Sequence, residues 1–292
     1  MARANLEIRR ITPLIGAEIH GIDLSRELDE QTYGDLRQAL LDHLVIILPG
    51  QRILPAQQVA LARRFGEIEP PHPVFETLAE QPEITIIQHG GEGAQPYNDE
   101  WHTDVTFRAE PAMGTILHAQ VLPEIGGDTL WANMYAAYES LSPCLRALIE
   151  DMVAVHDYYR AFADVVLGKP GGQERLIGDL RNFPPVEHPV VRMHPEIKRK
   201  GLFVNRSFTR RIKGLTTVES DHLLALLFEH AEHPNFQMRH RWRPHDLVMW
   251  DNRCTMHLAA SDFTGLRRMH RITVLGDRPV SAADIRTSRH PQ

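Results

Sequence analysis

Two short segments of the sequence carry side chains that commonly bind metals. His102 and Asp104 stand one residue apart in the first segment, and His257 closes the second, which begins at Trp250. Successive side chains of an extended strand alternate between its faces, so His102 and Asp104 would point to the same side. An apolar run typical of a buried strand precedes His257, and a β-barrel could bring it alongside. Two imidazoles and one carboxylate that leave coordination positions open are typical of non-haem Fe(II) oxygenases rather than closed zinc sites.

A downstream arginine suits an acidic co-substrate of such a metal. Two open positions can chelate a 2-oxo acid, and one more can take dioxygen. The far carboxylate of a 2-oxo diacid matches the planar, bidentate guanidinium of arginine. If the chain turns through residues 260–265 and returns as a strand over residues 269–275, Arg267 comes back beside the metal.

Further motifs accompany these residues in order along nearly the whole chain. They lie at residues 11–17, 62–67, 101–107, 126–131, 188–192, 202–205 and 250–253. Together they resemble the Fe(II)/2-oxoglutarate-dependent taurine dioxygenase family. An ordered series of matches is far more specific than an isolated His-x-Asp.

The resemblance implies a role for each candidate site residue. His102, Asp104 and His257 would bind Fe(II). Thr129 and Arg267 would hold the distal carboxylate of 2-oxoglutarate, and dioxygen would be the second co-substrate. The substrate would meet His72, Asn98, the Val105 backbone N–H, Phe162, Phe208 and Arg271. A sulfonate stays anionic at neutral pH and suits arginine, protonated histidine and a main-chain donor.

The resemblance also implies the fold and the reaction. We expect a mixed, β-rich fold with a double-stranded β-helix (jelly-roll) core and flanking α-helices, as one domain over residues 1–292. A stretch around residues 157–189, rich in glycine and proline, is expected to form an active-site lid. The implied reaction hydroxylates taurine or a related small sulfonate at the carbon next to sulfur, releasing sulfite and an aldehyde with succinate and CO2. The resemblance further implies a homo-oligomer.

Two positions depart from the family pattern at the substrate amine. Ala161 stands where the family has a serine, and Phe75 stands where it has a tyrosine. Each lost hydroxyl removes a hydrogen bond of roughly 1 kcal/mol. Two alternatives therefore stay open: an alkylsulfate dioxygenase with the same iron centre, and a non-catalytic jelly-roll module that binds a metal or a small acid.

Several other patterns favour a structural interpretation. His188 and His194 lack a carboxylate at ligand spacing, so we interpret them as structural or surface groups. Residues 126–128 lack the remainder of a phosphate-binding loop and predict a turn before a strand. The basic residues 209–213 are interpreted as a solvated loop edge, and their proximity to Phe208 leaves open a role in steering an anionic substrate.

Composition excludes other classes of function. A formal net charge of −6 argues against a general nucleic-acid binder, which needs clustered Lys and Arg. No apolar run is long enough to span a bilayer, and residues 1–5 lead into no signal-peptide core, so we expect no membrane partner and a cytoplasmic location. Two cysteines are too few for a disulfide framework.

Local patterns predict some of the helices and strands that must position the site. Residues 8–19 predict an opening strand pair, and apolar side chains at helical spacing predict a helix over residues 33–44 that leads into a buried strand. Pro55 predicts the first turn of a second helix. Thr216 and Glu219 form a capping-box pattern that predicts a later helix.

Overall fold

β-Strands dominate the architecture. The computed structural model describes residues 6–71, 74–90 and 100–284. Within these ranges the strands are β1 Glu7–Arg10, β2 Ala17–His20, β3 Val45–Leu48, β4 Thr77–Leu78, β5 Gln81–His89, β6 Gly114–Val121, β7 Thr129–Asn133, β8 Val153–His156, β9 Val186–Pro189, β10 Val191–Met193, β11 Lys200–Leu202, β12 Thr209–Ile212, β13 Gln237–His240, β14 Leu247–Asp251, β15 Thr255–Ala259 and β16 Arg267–Val274. The helices are α1 Glu30–His43, α2 Pro55–Arg63, α3 Met134–Ser140, α4 Pro143–Ile149, α5 Tyr159–Leu167, α6 Gly172–Asn182 and α7 Thr217–Ala231, and Pro234–Phe236 forms a 3-10 turn.

The jelly-roll core pairs one large sheet with a small one. The large sheet has the strand order β1-β2-β3-β14-β6-β16-β5-β4, and the small sheet has the order β13-β7-β15. Neighbours in the large sheet are antiparallel except β2 and β3, which are parallel. Such a sandwich brings strands that are distant in sequence onto facing inner surfaces. The predicted β-rich jelly roll with flanking helices is confirmed.

Alternating side chains explain why strand β3 of the large sheet is apolar throughout. In β3, Val45 and Ile47 pack into the core between the two sheets, whereas Ile46 and Leu48 pack into the core beneath α1 and α2. Because the strand has a period of two and both faces are covered, the run needs no polar position.

Local signals mark the starts of three helices: α2 and α7 begin where the sequence predicted, and α1 begins at Glu30, three residues before the predicted start. Asp29 caps α1 by accepting a hydrogen bond from the Thr32 N–H. Pro55 begins α2, and Thr216 with Glu219 forms the capping box of α7. These bonds satisfy N–H groups that the first turn of a helix leaves open. The predicted strand pair over residues 8–19 and the three helices are confirmed.

One interpretation was wrong. The basic residues 209–213 are not a loop edge, because Thr209–Ile212 forms strand β12, paired with β8. Thr209 and Ile212 are buried, while Arg210 and Arg211 between them are exposed. Arg210 pairs with the buried carboxylate of Asp157 at 2.9 Å.

The stretch predicted to form a lid contains α5 and α6. Their apolar faces, including Phe162, Val166 and Leu176, pack with Val105 and Phe107, which follow the candidate ligand Asp104, in one core cluster. No helix among the residues described is long and apolar enough to cross a membrane.

Candidate metal centre and its pocket

A single β-bridge brings the two candidate histidine ligands together. The His102 N–H donates to the His257 carbonyl at 3.0 Å, and the His257 N–H donates to the His102 carbonyl at 2.7 Å. The imidazole centroids consequently lie 4.2 Å apart. His257 belongs to β15, but His102 is an isolated bridge residue and Asp104 begins a turn. The predicted strand through His102 and Asp104 is therefore wrong, although the two side chains do converge.

Hydrogen bonds hold one oxygen of Asp104 and leave the other facing the imidazoles. Thr115 Oγ1 donates to Asp104 Oδ2 at 2.7 Å, and Asn252 Nδ2 donates to the same oxygen at 3.1 Å. Oδ1 lies 3.9 Å from His102 Nε2 and 3.8 Å from His257 Nε2. The Asn252 amide is fixed in turn by the Trp250 indole N–H, which donates to its Oδ1 at 2.9 Å.

Burial sets the protonation of the three groups. Burial, assisted by the His102 imidazole, lowers the pKa of His257 to about 3, and burial also lowers the pKa of His102. Burial would raise the pKa of Asp104, but the Arg271 guanidinium and the two imidazoles outweigh it and hold that pKa below its ordinary value. The cluster is thus one carboxylate with two neutral imidazoles at neutral pH.

These residues fit a divalent metal. One ligand atom from each of His102, Asp104 and His257 lies within 4.8 Å of the others, and this His-Asp-His group is the candidate metal cluster among the residues described. His102 Nδ1 hydrogen-bonds the Glu100 carbonyl at 2.8 Å, so that nitrogen carries the proton and Nε2 keeps its lone pair for a metal. Two neutral nitrogens and one carboxylate oxygen on one side match the facial set that Fe(II) oxygenases use.

Arg267 and Thr129 lie together at one end of the pocket. Arg267 is the first residue of β16 and is 2% exposed; its Nε donates to the Gly127 carbonyl at 3.2 Å. The Thr129 hydroxyl accepts a hydrogen bond from the Trp242 indole N–H at 2.9 Å. The predicted turn after His257 and the returning strand are confirmed, with the strand beginning at Arg267 itself.

Arg271 lies on the same strand face, next to the candidate ligands. It lies four positions after Arg267 along the strand, a span of about 13 Å. Its Nη2 lies 2.8 Å from Asp104 Oδ1. Two arginines therefore stand at separate points of one pocket, which could hold two anions at once.

The pocket wall is largely apolar. Phe75, Ile87, Leu117, Phe162, Phe208, Trp250 and Ala259 line it together with His89, His102, Asp104, Val105, Thr129, His257, Arg267 and Arg271. Val105 has a positive φ of 48°, uncommon for a β-branched residue. Its N–H makes no hydrogen bond within the part of the chain that the structure describes.

The structure brings together every described residue that the sequence predicted for the site. His72 and Asn98 lie outside the described residues. Sequence reasoning missed Thr115 and Trp242, which no motif marked. Asn252 was part of a matching motif but had no assigned role.

The two histidines interpreted as structural do form structural contacts. His188 Nε2 hydrogen-bonds the backbone carbonyls of Thr106 and Arg108, at 2.9 Å and 3.0 Å. His194 Nε2 lies 3.1 Å from a carboxylate oxygen of Asp251. Both are buried rather than at the surface.

Comparisons with known proteins agree with this geometry. The model of the "Taurine catabolism dioxygenase TauD, TfdA family" matches residues 7–273. An alpha-ketoglutarate-dependent sulfate ester dioxygenase of Pseudomonas putida is 36% identical, over 94% of this chain and 91% of that protein. An alkylsulfatase of Acinetobacter baylyi is 37% identical, over 93% and 86%. The crystal structure of a taurine dioxygenase from Burkholderia xenovorans has a TM-score of 0.81 and 36% identity, over 95% of this chain and 92% of that one.

Proposed function

Since the chain belongs to the taurine catabolism dioxygenase family and is an Fe(II)- and 2-oxoglutarate-dependent dioxygenase, we propose that it oxidises small alkyl sulfate esters. The observation that carries the proposal is the combination of apolar pocket walls, with no carboxylate besides Asp104 among the described lining residues, and the position of Arg271. Its guanidinium lies 2.8 Å from the candidate ligand Asp104 and opens into a pocket with apolar walls. An anion bound there would hold its first carbon beside the metal.

We assign the other site residues by the same geometry. His102, Asp104 and His257 would hold Fe(II), and Thr129 and Arg267 would bind the distal carboxylate of 2-oxoglutarate. Bound iron supplies the activation of dioxygen, coupled to oxidation of 2-oxoglutarate to succinate and CO2. The protein contributes position and charge.

Arg271 and the Val105 N–H are suited to an anionic sulfur head group. A sulfate or sulfonate offers several acceptor oxygens, and a guanidinium with a main-chain donor can bind two of them. Val105 lines the pocket, and its N–H makes no hydrogen bond in the described chain. Phe162 and Phe208 would cover the carbon chain and exclude water.

The apolar wall favours an alkyl tail over an ammonium group. Among the described residues that line the pocket, Asp104 is the only carboxylate, and it belongs to the metal set. Phe75 adds a ring without a hydroxyl. Placing an ammonium in such surroundings without a paired acceptor is costly, whereas a hydrocarbon tail gains from burial.

The reaction follows from where the head group would be held. Hydroxylation of the carbon that bears the sulfate oxygen gives an unstable product, in which the carbon–oxygen bond to sulfate breaks and an aldehyde forms. For a sulfonate, the carbon–sulfur bond breaks instead and sulfite leaves. The inorganic product therefore identifies the substrate class.

Taurine is the second candidate, supported by the similarity to the Burkholderia xenovorans taurine dioxygenase. Asn98, outside the described residues, would then accept from the ammonium group. On this candidate the products are sulfite and an aminoaldehyde.

The test is product release by iron-loaded protein given 2-oxoglutarate and dioxygen with hexyl sulfate, hexanesulfonate or taurine. Release of sulfate and succinate in matched amounts from hexyl sulfate would support the proposal. Greater sulfite release from taurine would move the assignment to taurine. Absence of succinate with every compound, in protein that binds iron, would instead favour a non-catalytic binding module.

A matched pair of variants probes the amine end. Phe75→Tyr restores the hydroxyl of the family pattern at the pocket wall and should raise the use of taurine relative to hexyl sulfate. Phe183→Tyr makes the same change at a ring that stacks on Tyr158 and does not itself line the pocket, and it should leave the ratio unchanged. An unchanged ratio in both variants would show that Phe75 does not determine the preference between taurine and hexyl sulfate.

A further inference from the structure

We propose that Trp242 is a positioning residue for 2-oxoglutarate: it orients the Thr129 hydroxyl and supports the Arg267 guanidinium. The inference rests on the proposed roles of Thr129 and Arg267 and is independent of which sulfur compound is oxidised. Trp242 lies just after β13, outside the ligand motifs, and packs in the core between the two sheets.

The hydrogen bond between Trp242 and Thr129 has a fixed direction. The indole N–H is a donor only, and it lies 2.9 Å from Thr129 Oγ1. The hydroxyl must accept this bond, so its own proton is directed elsewhere. Thr129 is 2% exposed and lines the pocket, which leaves the pocket as the place for that proton.

A carboxylate is the complementary partner for a hydroxyl held in this way. An ionised carboxylate can only accept hydrogen bonds. A free threonine hydroxyl would rotate between donor and acceptor roles, and binding an anion would have to fix it. With Trp242 in place the donor role is already chosen, so less ordering remains for binding.

The same indole also contacts Arg267. The Arg267 Cζ lies 5.8 Å from the Trp242 ring centroid, within the range of a cation–π contact. The Arg267 Nε is anchored on the Gly127 carbonyl at 3.2 Å. One buried side chain therefore holds both groups proposed to bind the distal carboxylate.

Trp242 also lines a second cavity, separate from the metal pocket. Leu122, Pro123, Glu124, Gly126, Arg241 and Pro244 line it with Trp242. Trp242 itself is 8% exposed. Trp242 is therefore almost fully buried, and it acts on the metal pocket through Thr129 and Arg267 rather than by lining it.

The test is a binding measurement on Mn(II)-loaded protein, titrated with 2-oxoglutarate by calorimetry without organic substrate. Trp242→Phe keeps a ring but removes the N–H, and should raise the dissociation constant of 2-oxoglutarate about fivefold, as expected for one neutral hydrogen bond. Mn(II) affinity should not change. Trp131→Phe is the control, because Trp131 belongs to the same core cluster and its indole nitrogen has no hydrogen-bond partner in the described structure.

A double-mutant cycle separates positioning from general packing. Thr129→Val should weaken 2-oxoglutarate binding, and adding Trp242→Phe to it should cost little more, because Trp242 acts partly through the Thr129 hydroxyl. Fully additive effects, or unchanged binding in Trp242→Phe, would overturn the inference. Unchanged binding in Thr129→Val would instead overturn the proposed role of Thr129.

A spectroscopic measurement avoids dependence on the Trp242 variant. The chain has four tryptophans, so indole N–H resonances are few. In Thr129→Val the Trp242 indole proton should move upfield, and in the wild type it should shift when 2-oxoglutarate is added. An indole resonance indifferent to both changes would contradict the inference even if Trp242→Phe did not fold.

Discussion

Replacing Thr115 by valine tests how Asp104, the candidate carboxylate ligand, is held. The change removes a hydroxyl but keeps the shape of the side chain. Thr115, Asn252 and Asp104 are all buried, and the Thr115 bond to Asp104 Oδ2 is 2.7 Å, shorter than the 3.1 Å bond from Asn252. We expect Thr115→Val to bind Mn(II) or Fe(II) more weakly, because Asp104 can then rotate and turn Oδ1 away from the imidazoles.

The magnitude follows from the charge of the acceptor. A hydrogen bond to an ionised group contributes about 1.5–3 kcal/mol. Partners that orient a metal ligand typically change metal affinity by about 10- to 100-fold, which is the same range of free energy. Thr115→Val should fall within it, and Thr115→Ser, which retains the hydroxyl, should stay close to the wild type.

The assay is the Mn(II) dissociation constant by calorimetry, with thermal unfolding of the metal-free protein to verify folding. Thr273→Val is a matched control, since Thr273 is the register partner of Thr115 on the neighbouring strand β16 and makes no side-chain hydrogen bond in the described structure. If folded Thr115→Val bound Mn(II) as tightly as Thr273→Val and the wild type, the hydroxyl would not orient Asp104.

Three further predictions follow from the site and its surroundings. Arg267→Gln should raise the KM for 2-oxoglutarate by about tenfold or more, and Arg271→Gln should raise the KM for the sulfur substrate by a similar factor. If both variants raised the KM of the same compound, the assignment of one arginine to each anion would be wrong. Burial lowers the pKa of His118 and His188 to about 4, so the unfolded chain binds more protons below about pH 6.5, and the free energy of unfolding should fall by roughly 2 kcal/mol per histidine between pH 6.5 and pH 5. In urea titrations, His188→Gln should reduce the dependence of the free energy of unfolding on pH. A free energy of unfolding of the wild type that did not change between pH 7 and pH 5 would contradict this prediction. We also propose that residues 157–189 close over the site, so 2-oxoglutarate with substrate should slow proteolysis within them; cleavage only elsewhere, unaffected by ligands, would argue against a lid.

Much of the architecture was predictable because its causes are local. A helix start depends on a few adjacent residues, so Pro55 and the Thr216–Glu219 capping box indicated α2 and α7 without any knowledge of their neighbours. The chemistry of the candidate ligands was equally predictable, because imidazole and carboxylate keep their coordinating properties in any fold. The prediction of a loop edge at the basic residues of β12 was wrong, because exposed arginines are typical of a solvated loop but also occur on a paired strand.

By itself, the sequence determined which groups are candidates for the chemistry: two imidazoles and a carboxylate for a metal, with arginines for anions. The tertiary structure alone decided how they are aimed. Thr129 and Trp242 are 113 residues apart, and Asp104 and Asn252 are 148 apart. No spacing rule joins such pairs, because their hydrogen bonds form only when two packed sheets bring distant strands to the same pocket.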